Sequence, residues 1–323
     1  PDLSEALVER LRQELIRRWR NSTKDTPYLQ LMREPGYLLD INAWQPLRLA
    51  EALESFDMEV FRQFVGGLYR GVSLEILASG NLDRESATGM AADLVSRIVD
   101  GQPAEWPQRG IAQVLPGAKI QVPMGIEHRD AGILRYYQGR SDSVVETARF
   151  LFLRQLIKAP FFHELRTQQQ LGYVVAAVDQ GLDRVPGIGL LVQSPVADVP
   201  KLEAAIDQFL ADFAGAVEVM AADEFERHRE AILTGLREKP KSLAEQSSRY
   251  WSSIDLRDYS FDRRQQIIAA VEAMTLPEMV DTYTQVMREA GFSLQLDSRS
   301  SDFMGGLGVA GKKQIYRLPN RNL

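Results

Sequence analysis

Apolar residues recur at one-turn spacing through much of the first hundred residues, and Leu7 and Leu11 begin the series. This spacing predicts helices, and Asp83 is placed to cap the last of them. Residues 72–78 instead alternate between apolar and polar positions, which predicts a strand. Because a single strand cannot satisfy its own edges, we expect residues 1–100 to be the partial, mostly helical C-terminal part of an α+β domain whose other strands lie upstream, in a longer chain.

The pattern changes at residues 101–118, which hold three prolines and three glycines, show no sustained period and therefore predict a linker. From residue 119 onward the pattern predicts two strands, a long apolar helix, a hairpin of two strands, several helices and a final strand. This order predicts a complete α+β domain over residues 119–323, ending in a tail, with an antiparallel or mixed sheet and helices packed on one face.

Individual residues in the predicted domain 119–323 indicate where its helices and turns begin and end. Ser143 and Glu146 predict a capping box at the start of the long apolar helix, and Pro160 is expected to break or kink it. The apolar run after Gly172 is expected to pair with the next apolar run through a turn at residues 181–187. These signals place a hairpin directly after a helix.

Composition and charge bear on which partners and which compartment the chain could have. The chain has 323 residues, a net charge of -6 and no cysteine. A negative chain without a basic patch disfavours nucleic acid as a partner, and the absence of a long apolar run disfavours a membrane span. Zero cysteines exclude disulfides and thiolate metal sites, but they do not distinguish the cytoplasm from an oxidising compartment such as the periplasm.

The segment FFHELRTQQQLGYVV, residues 161–175, contains half of a zinc signature. His163 and Glu164 are the first two letters of HExxH, in which two histidines one helical turn apart bind zinc. The fifth letter is Thr167, and the inverted motif HxxEH would need glutamate at the position of Arg166. We therefore expect this chain to bind no metal and no other cofactor of its own.

The same segment carries a second, longer pattern. An apolar helix that runs into LRTQQQLGYVV, followed by an apolar strand, resembles the C-terminal half of the insulinase/pitrilysin family of zinc metallopeptidases, in which the motif reads approximately LRTxxQLGY. The matching letters are Leu165, Arg166, Thr167, Gln170, Leu171, Gly172 and Tyr173. Residues 74–87 resemble a strand, Gly-Asn turn and helix of the same family, so that the resemblance covers nearly the whole chain.

The resemblance implies a division of labour. Members of this family build a closed chamber from two halves; the N-terminal half carries zinc on HxxEH and a distal glutamate, and the C-terminal half binds peptide. By this resemblance Arg166 and Tyr173 would face the chamber and contact the bound peptide. The chemistry of these residues suits such a site: the Tyr173 phenol could donate a hydrogen bond to the developing oxyanion, and the Arg166 guanidinium could bind a substrate carbonyl. Gly172 would bind substrate by leaving room for its backbone to approach the strand. Zinc would belong to an N-terminal half, either on the same longer chain or on a separate subunit, and this chain alone would be inactive.

Two alternatives to this interpretation stay open. A tyrosine at the start of a strand is usually a packing residue, and an arginine at a helix end is usually a solvated cation. The chain is therefore expected to be either the substrate-binding half of a zinc endopeptidase or a catalytically inactive relative that serves as a scaffold or peptide-binding subunit. Retention of both Arg166 and Tyr173 favours the peptidase, while the peptide that it cleaves cannot be deduced from the sequence.

Overall fold

The computed structural model describes residues 4–99, 104–106, 108–114, 118–289 and 292–298. Most of the predicted C-terminal tail lies outside these residues. The chain forms two compact units, one made of residues 1–20, 44–110 and 237–264, and the other of residues 21–43, 111–236 and 265–323. Both units are discontinuous in sequence, and the predicted division at the linker 101–118 stays a prediction.

The helices and strands follow one another in clusters, as in an α+β protein. The helices are α1 (Glu5–Asn21), α2 (Pro27–Leu39), α3 (Pro46–Glu54), α4 (Met58–Gly67), α5 (Arg84–Ile98), α6 (Val144–Phe162), α7 (Val199–Glu218), α8 (Ala222–Arg237), α9 (Leu243–Asp255), α10 (Arg263–Ala273) and α11 (Leu276–Tyr283). The strands are β1 (Ala118–Met124), β2 (Ala131–Gln138), β3 (Val174–Asp179), β4 (Gly187–Ser194) and β5 (Phe292–Ser298). None of the described helices has the length and apolar character needed to cross a membrane.

The first compact unit is helical in its described part, and one sequence prediction about it is wrong. As expected, the Asp83 carboxylate caps α5 and accepts the Ser86 backbone N–H at 2.7 Å. The predicted strand at residues 72–78 does not form, because these residues pair with no neighbouring strand in the described part of the chain. An alternating pattern yields a strand only where a second backbone completes the ladder, and here it leaves Leu74 and Ile76 more than a third exposed.

The second unit contains a five-stranded sheet in the order β1-β5-β2-β4-β3. β1 and β5 are parallel, and every other neighbouring pair is antiparallel. The predicted hairpin is present as β3 and β4, and every residue of β2 and β4 is buried. The predicted α+β class with a mixed sheet is confirmed.

Both faces of this sheet are covered, although the sequence predicted helices on one face. Alternate residues of β2 point to opposite sides, so that Ile133 packs in a core with α6, α7 and α11, while Leu134 packs in a second core with Leu31 and Leu39 of α2. The approach of α2 is close, because a Cβ at Gly132 would lie 2.8 Å from the Leu31 side chain. Helix α2 was missed in the sequence, and it belongs to the sheet unit.

The long apolar helix α6 leads directly into the candidate site. Ser143 caps it as predicted, but the Glu146 carboxylate accepts the Arg140 backbone N–H at 2.9 Å, so that the capping box is only half formed. Pro160 does not end the helix, which continues to Phe162 and then widens into a π-helical turn at His163–Gln168. This turn carries the first half of the LRTxxQLGY segment to the edge of the sheet.

Candidate functional site

The LRTxxQLGY segment connects the π-helical turn to β3 through a tight reversal. Leu165 and Leu171 are both buried, and the Leu171 backbone N–H donates to the Leu165 carbonyl at 2.9 Å. Gln170 takes the left-handed backbone conformation, with φ of 52°, which lets the chain reverse between the two leucines. Two buried apolar anchors therefore fix the exit of the turn and the start of the strand.

Gly172 lies against the backbone of β4. A Cβ at this position would lie 2.1 Å from the carbonyl oxygen of Gln193, closer than any side chain allows. Glycine is needed here because the chain's own strand occupies the space that a side chain would fill. Its predicted contact with substrate stays a prediction.

Tyr173 directly precedes β3 and presents a half-exposed ring. Its relative exposure is 49%, and its hydroxyl donates to Oδ2 of Asp130 at 2.7 Å. Asp130 directly precedes β2 and is 7% exposed. The phenol therefore joins an open surface to a carboxylate that is almost fully withdrawn from water.

Gln193, near the end of β4, completes this cluster. Its Nε2 donates to Asp130 Oδ2 at 2.7 Å and also to the Tyr173 hydroxyl oxygen. Its Oε1 accepts the backbone N–H of Tyr28, in the first turn of α2, at 3.0 Å. Because a backbone N–H can only donate, this contact fixes which end of the Gln193 amide faces Asp130 and Tyr173.

The surroundings of Tyr173 keep its phenol protonated. Desolvation, followed by the hydrogen bond to Asp130 and the negative charge of that carboxylate, raises the pKa of Tyr173 to about 12. Each of these effects disfavours the phenolate. Tyr173 is therefore a hydrogen-bond donor throughout the neutral and mildly alkaline range.

Arg166 lies in the π-helical turn, on the exposed side of the segment. Its guanidinium donates to the backbone carbonyl of Tyr173 and lies over the Phe162 ring, 5.2 Å from the ring centroid. The three residues singled out in the sequence therefore lie together. Arg166 binds the backbone carbonyl of Tyr173, and Gly172, directly before Tyr173, packs against the backbone of β4.

Sequence reasoning missed Asp130 and Gln193, which are distant from Tyr173 along the chain. A weak signal was available in each case: Asp130 closes the charged run EHRD before an apolar strand, and Gln193 directly follows the apolar run GIGLLV. His128 was also not linked to this cluster; its Nδ1 accepts the Asp130 backbone N–H at 2.9 Å. Only strand pairing brings these residues to the tyrosine.

The described residues of this chain do not supply a zinc site. Within the described ranges, no three His, Cys, Asp or Glu side chains are grouped so that they could hold a metal ion. His163, the first letter of the incomplete motif, has its Nε2 2.9 Å from the Gln168 side-chain nitrogen. No chemical step is therefore assigned to a metal held by this chain.

Known proteins resemble the chain over most of its length. Residues 152–251 match the family model for the C-terminal lobe domain 4 of PqqF-like PQQ synthase proteins. The insulin-degrading enzyme of Homo sapiens is 25% identical over 302 residues, covering 88% of this chain and 29% of its own length. The putative zinc protease mug138 of Schizosaccharomyces pombe is 26% identical over 334 residues, covering 99% of this chain and 33% of its own length.

A solved structure gives the same picture for the fold. The crystal structure of pitrilysin superposes with a TM-score of 0.84 at 21% sequence identity, covering 94% of this chain and 32% of that chain. The chain therefore spans about a third of each of these relatives. These matches confirm the resemblance that the LRTxxQLGY segment indicated: the chain is similar to the C-terminal half of the insulinase/pitrilysin metallopeptidases.

Proposed function

We propose that this chain is the substrate-binding C-terminal half of a zinc-dependent endopeptidase that cleaves peptides in a closed chamber. The zinc would be held by an N-terminal half, on the same longer chain or on a separate subunit, and this chain alone would not cleave peptides. The observation that supports the proposal best is the half-exposed phenol of Tyr173, which keeps its proton and lies within the segment shared with the family.

The contact between Tyr173 and Asp130 suits a donor that acts mainly in the transition state. A carboxylate is a stronger hydrogen-bond acceptor than a neutral peptide carbonyl, so in the ground state the Tyr173 hydroxyl keeps its proton and donates it in a hydrogen bond to Asp130. When peptide-bond cleavage begins, the substrate oxygen gains negative charge and competes for this proton on more equal terms. A bond made only at that stage lowers the barrier without tightening substrate binding.

Arg166 would have a different role in the same proposal. Its exposed guanidinium carries several N–H donors on one plane, and the contact with the Tyr173 carbonyl engages one side of that plane. The remaining donors could bind a backbone carbonyl of the substrate both before and during the reaction. Gly172 would allow the peptide backbone to pass close to the start of β3.

One observation favours the alternative function, a catalytically inactive relative that acts as a scaffold or peptide-binding subunit. Tyr173 and Arg166 both donate to acceptors of the chain itself, namely Asp130 and the Tyr173 carbonyl. Residues that serve only the local structure would make the same contacts. The two functions differ in whether loss of the Tyr173 hydroxyl slows peptide cleavage.

The test is Tyr173→Phe in the assembly of this chain with its zinc-bearing half, with a quenched fluorescent peptide as substrate. We expect kcat to fall roughly ten- to a thousandfold, or about 1.4–4 kcal/mol of transition-state stabilisation, with little change in KM. The control is Tyr69→Phe, which removes the hydroxyl of another tyrosine that is about half exposed. An unchanged kcat in Tyr173→Phe would mean that the Tyr173 hydroxyl takes no part in catalysis and would favour the alternative function, in which this chain is a scaffold or peptide-binding subunit.

A further inference from the structure

We propose that Asp130, together with Gln193, is a positioning residue that holds the Tyr173 hydroxyl in one place and one direction. The hydrogen bonds among the three side chains carry this inference, and its consequence for peptide cleavage rests on the proposed function. Neither Asp130 nor Gln193 belongs to the LRTxxQLGY segment, and they reach Tyr173 from the residue before β2 and from near the end of β4.

The direction of each hydrogen bond follows from the groups involved. The Tyr28 N–H must donate, so Gln193 presents its oxygen to α2 and its NH₂ group to Asp130 and Tyr173. The Tyr173 oxygen therefore accepts from Gln193, and its single proton is directed to Asp130. Reversal of any one of these bonds would place two donors or two acceptors against each other.

Burial makes this arrangement a rigid one. Gln193 is fully buried, and Asp130 is 7% exposed, whereas the Tyr173 ring is 49% exposed. Because about half of the Tyr173 surface is exposed, packing restrains its side-chain rotamer only in part, and its polar partners restrain the hydroxyl further. The buried carboxylate in turn uses the Tyr173 O–H and the Gln193 N–H as hydrogen-bond donors, which replace the water that it lost on folding.

The inference can be tested without any substrate. A 3-fluorotyrosine at position 173, which is more acidic than tyrosine, allows its phenol to be titrated by ¹⁹F NMR. Asp130→Asn removes the adjacent negative charge and keeps the side-chain shape, so we expect the pKa of this phenol to fall by about 1 or more. Gln193→Met removes the N–H that stabilises the phenolate, so we expect the opposite change, a higher pKa.

The matched control uses another tyrosine–carboxylate pair, in which Tyr259 donates to Glu75. Glu75→Gln should leave the titration of position 173 unchanged and lower the pKa of Tyr259, because the hydrogen bond to Glu75 is the main cause that raises it. If neither Asp130→Asn nor Gln193→Met alters the titration at position 173, the positioning role is refuted. Because the two variants act in opposite directions, a folding defect common to both could not produce the expected pair of results.

The functional part is a double-mutant cycle in the complete assembly. If Asp130 acts through Tyr173, Asp130→Asn should lower kcat at least about threefold in the parent and cause no further loss in the Tyr173→Phe background. Equal losses in both backgrounds would overturn the positioning role. If Tyr173→Phe itself cleaves at the parent rate, the proposed function fails, while the ¹⁹F titration still decides whether Asp130 and Gln193 position the hydroxyl.

Discussion

Gly172 lies at the narrowest contact of the candidate site. Gly172→Ala would place a methyl group against the Gln193 carbonyl, and relief of that clash requires β3 and β4 to separate. We expect the variant to lose about 3 kcal/mol of unfolding free energy, the upper end of the range for overpacked sites. Urea denaturation followed by circular dichroism measures this loss.

Gly215 provides the control for that substitution. It lies in α7, in the same compact unit, and a Cβ there would meet no atom within 4 Å. Gly215→Ala should therefore stabilise the chain by about 0.5–1 kcal/mol, because alanine loses less backbone entropy in a helix than glycine does. If both variants had the same stability as the parent, the close packing at Gly172 would be contradicted.

Arg166 is expected to bind substrate before and during the reaction, and this distinguishes it from Tyr173. Arg166→Ala in the complete assembly should raise KM at least as much as it lowers kcat, because the lost contact is present in both states. Arg227→Ala serves as the control, since Arg227 is an exposed arginine of α8 paired with Asp223. A loss confined to kcat would assign Arg166 a role in the transition state alone.

At the scale of elements, helix α2 decides whether the sheet has one covered face or two. Leu31 of α2 is fully buried against the sheet. We expect Leu31→Ala to destabilise the sheet unit by about 2–5 kcal/mol, as a buried leucine does when it leaves a cavity. Faster hydrogen exchange of the β2 amides would report this loss.

The matched control for α2 is Leu47→Ala, at a leucine of α3 that is 45% exposed. It should change the exchange of the β2 amides little, because Leu47 belongs to the other compact unit and nearly half of its side chain is already exposed. If Leu31→Ala leaves the β2 amides as protected as in the parent, α2 does not stabilise the sheet in solution.

Some helices and strands could be predicted from the sequence, and others could not. Helix α7 and the hairpin of β3 and β4 are evident from their periodic patterns, because each pattern reports which face is buried. Helix α2 was overlooked, although Thr26 and Pro27 mark its start and Leu31 and Leu39 lie on one side. The alternating residues 72–78 predict a strand that does not form, because periodicity reports side-chain direction and not the presence of a hydrogen-bonding partner.

For the whole molecule, the clearest expectation concerns metal. The isolated chain should hold far less than one zinc per molecule after dialysis, because the described residues group no three suitable ligands. Elemental analysis by mass spectrometry measures this, and His163→Ala, which removes the first letter of the incomplete motif, should leave the result unchanged. About one tightly held zinc per chain would contradict the assignment of the metal to another half.

The sequence by itself determined the α+β class, the hairpin after a helix and the family resemblance, because all three depend on local periodicity or on one contiguous segment. It also singled out Arg166, Gly172 and Tyr173, which lie within eight residues of each other. Only the tertiary structure decided where the Tyr173 proton is directed, because Asp130 and Gln193 reach it through pairing of strands distant in sequence. Hydrogen bonds between distant side chains leave no periodic trace in the chain, and they form only when the sheet does.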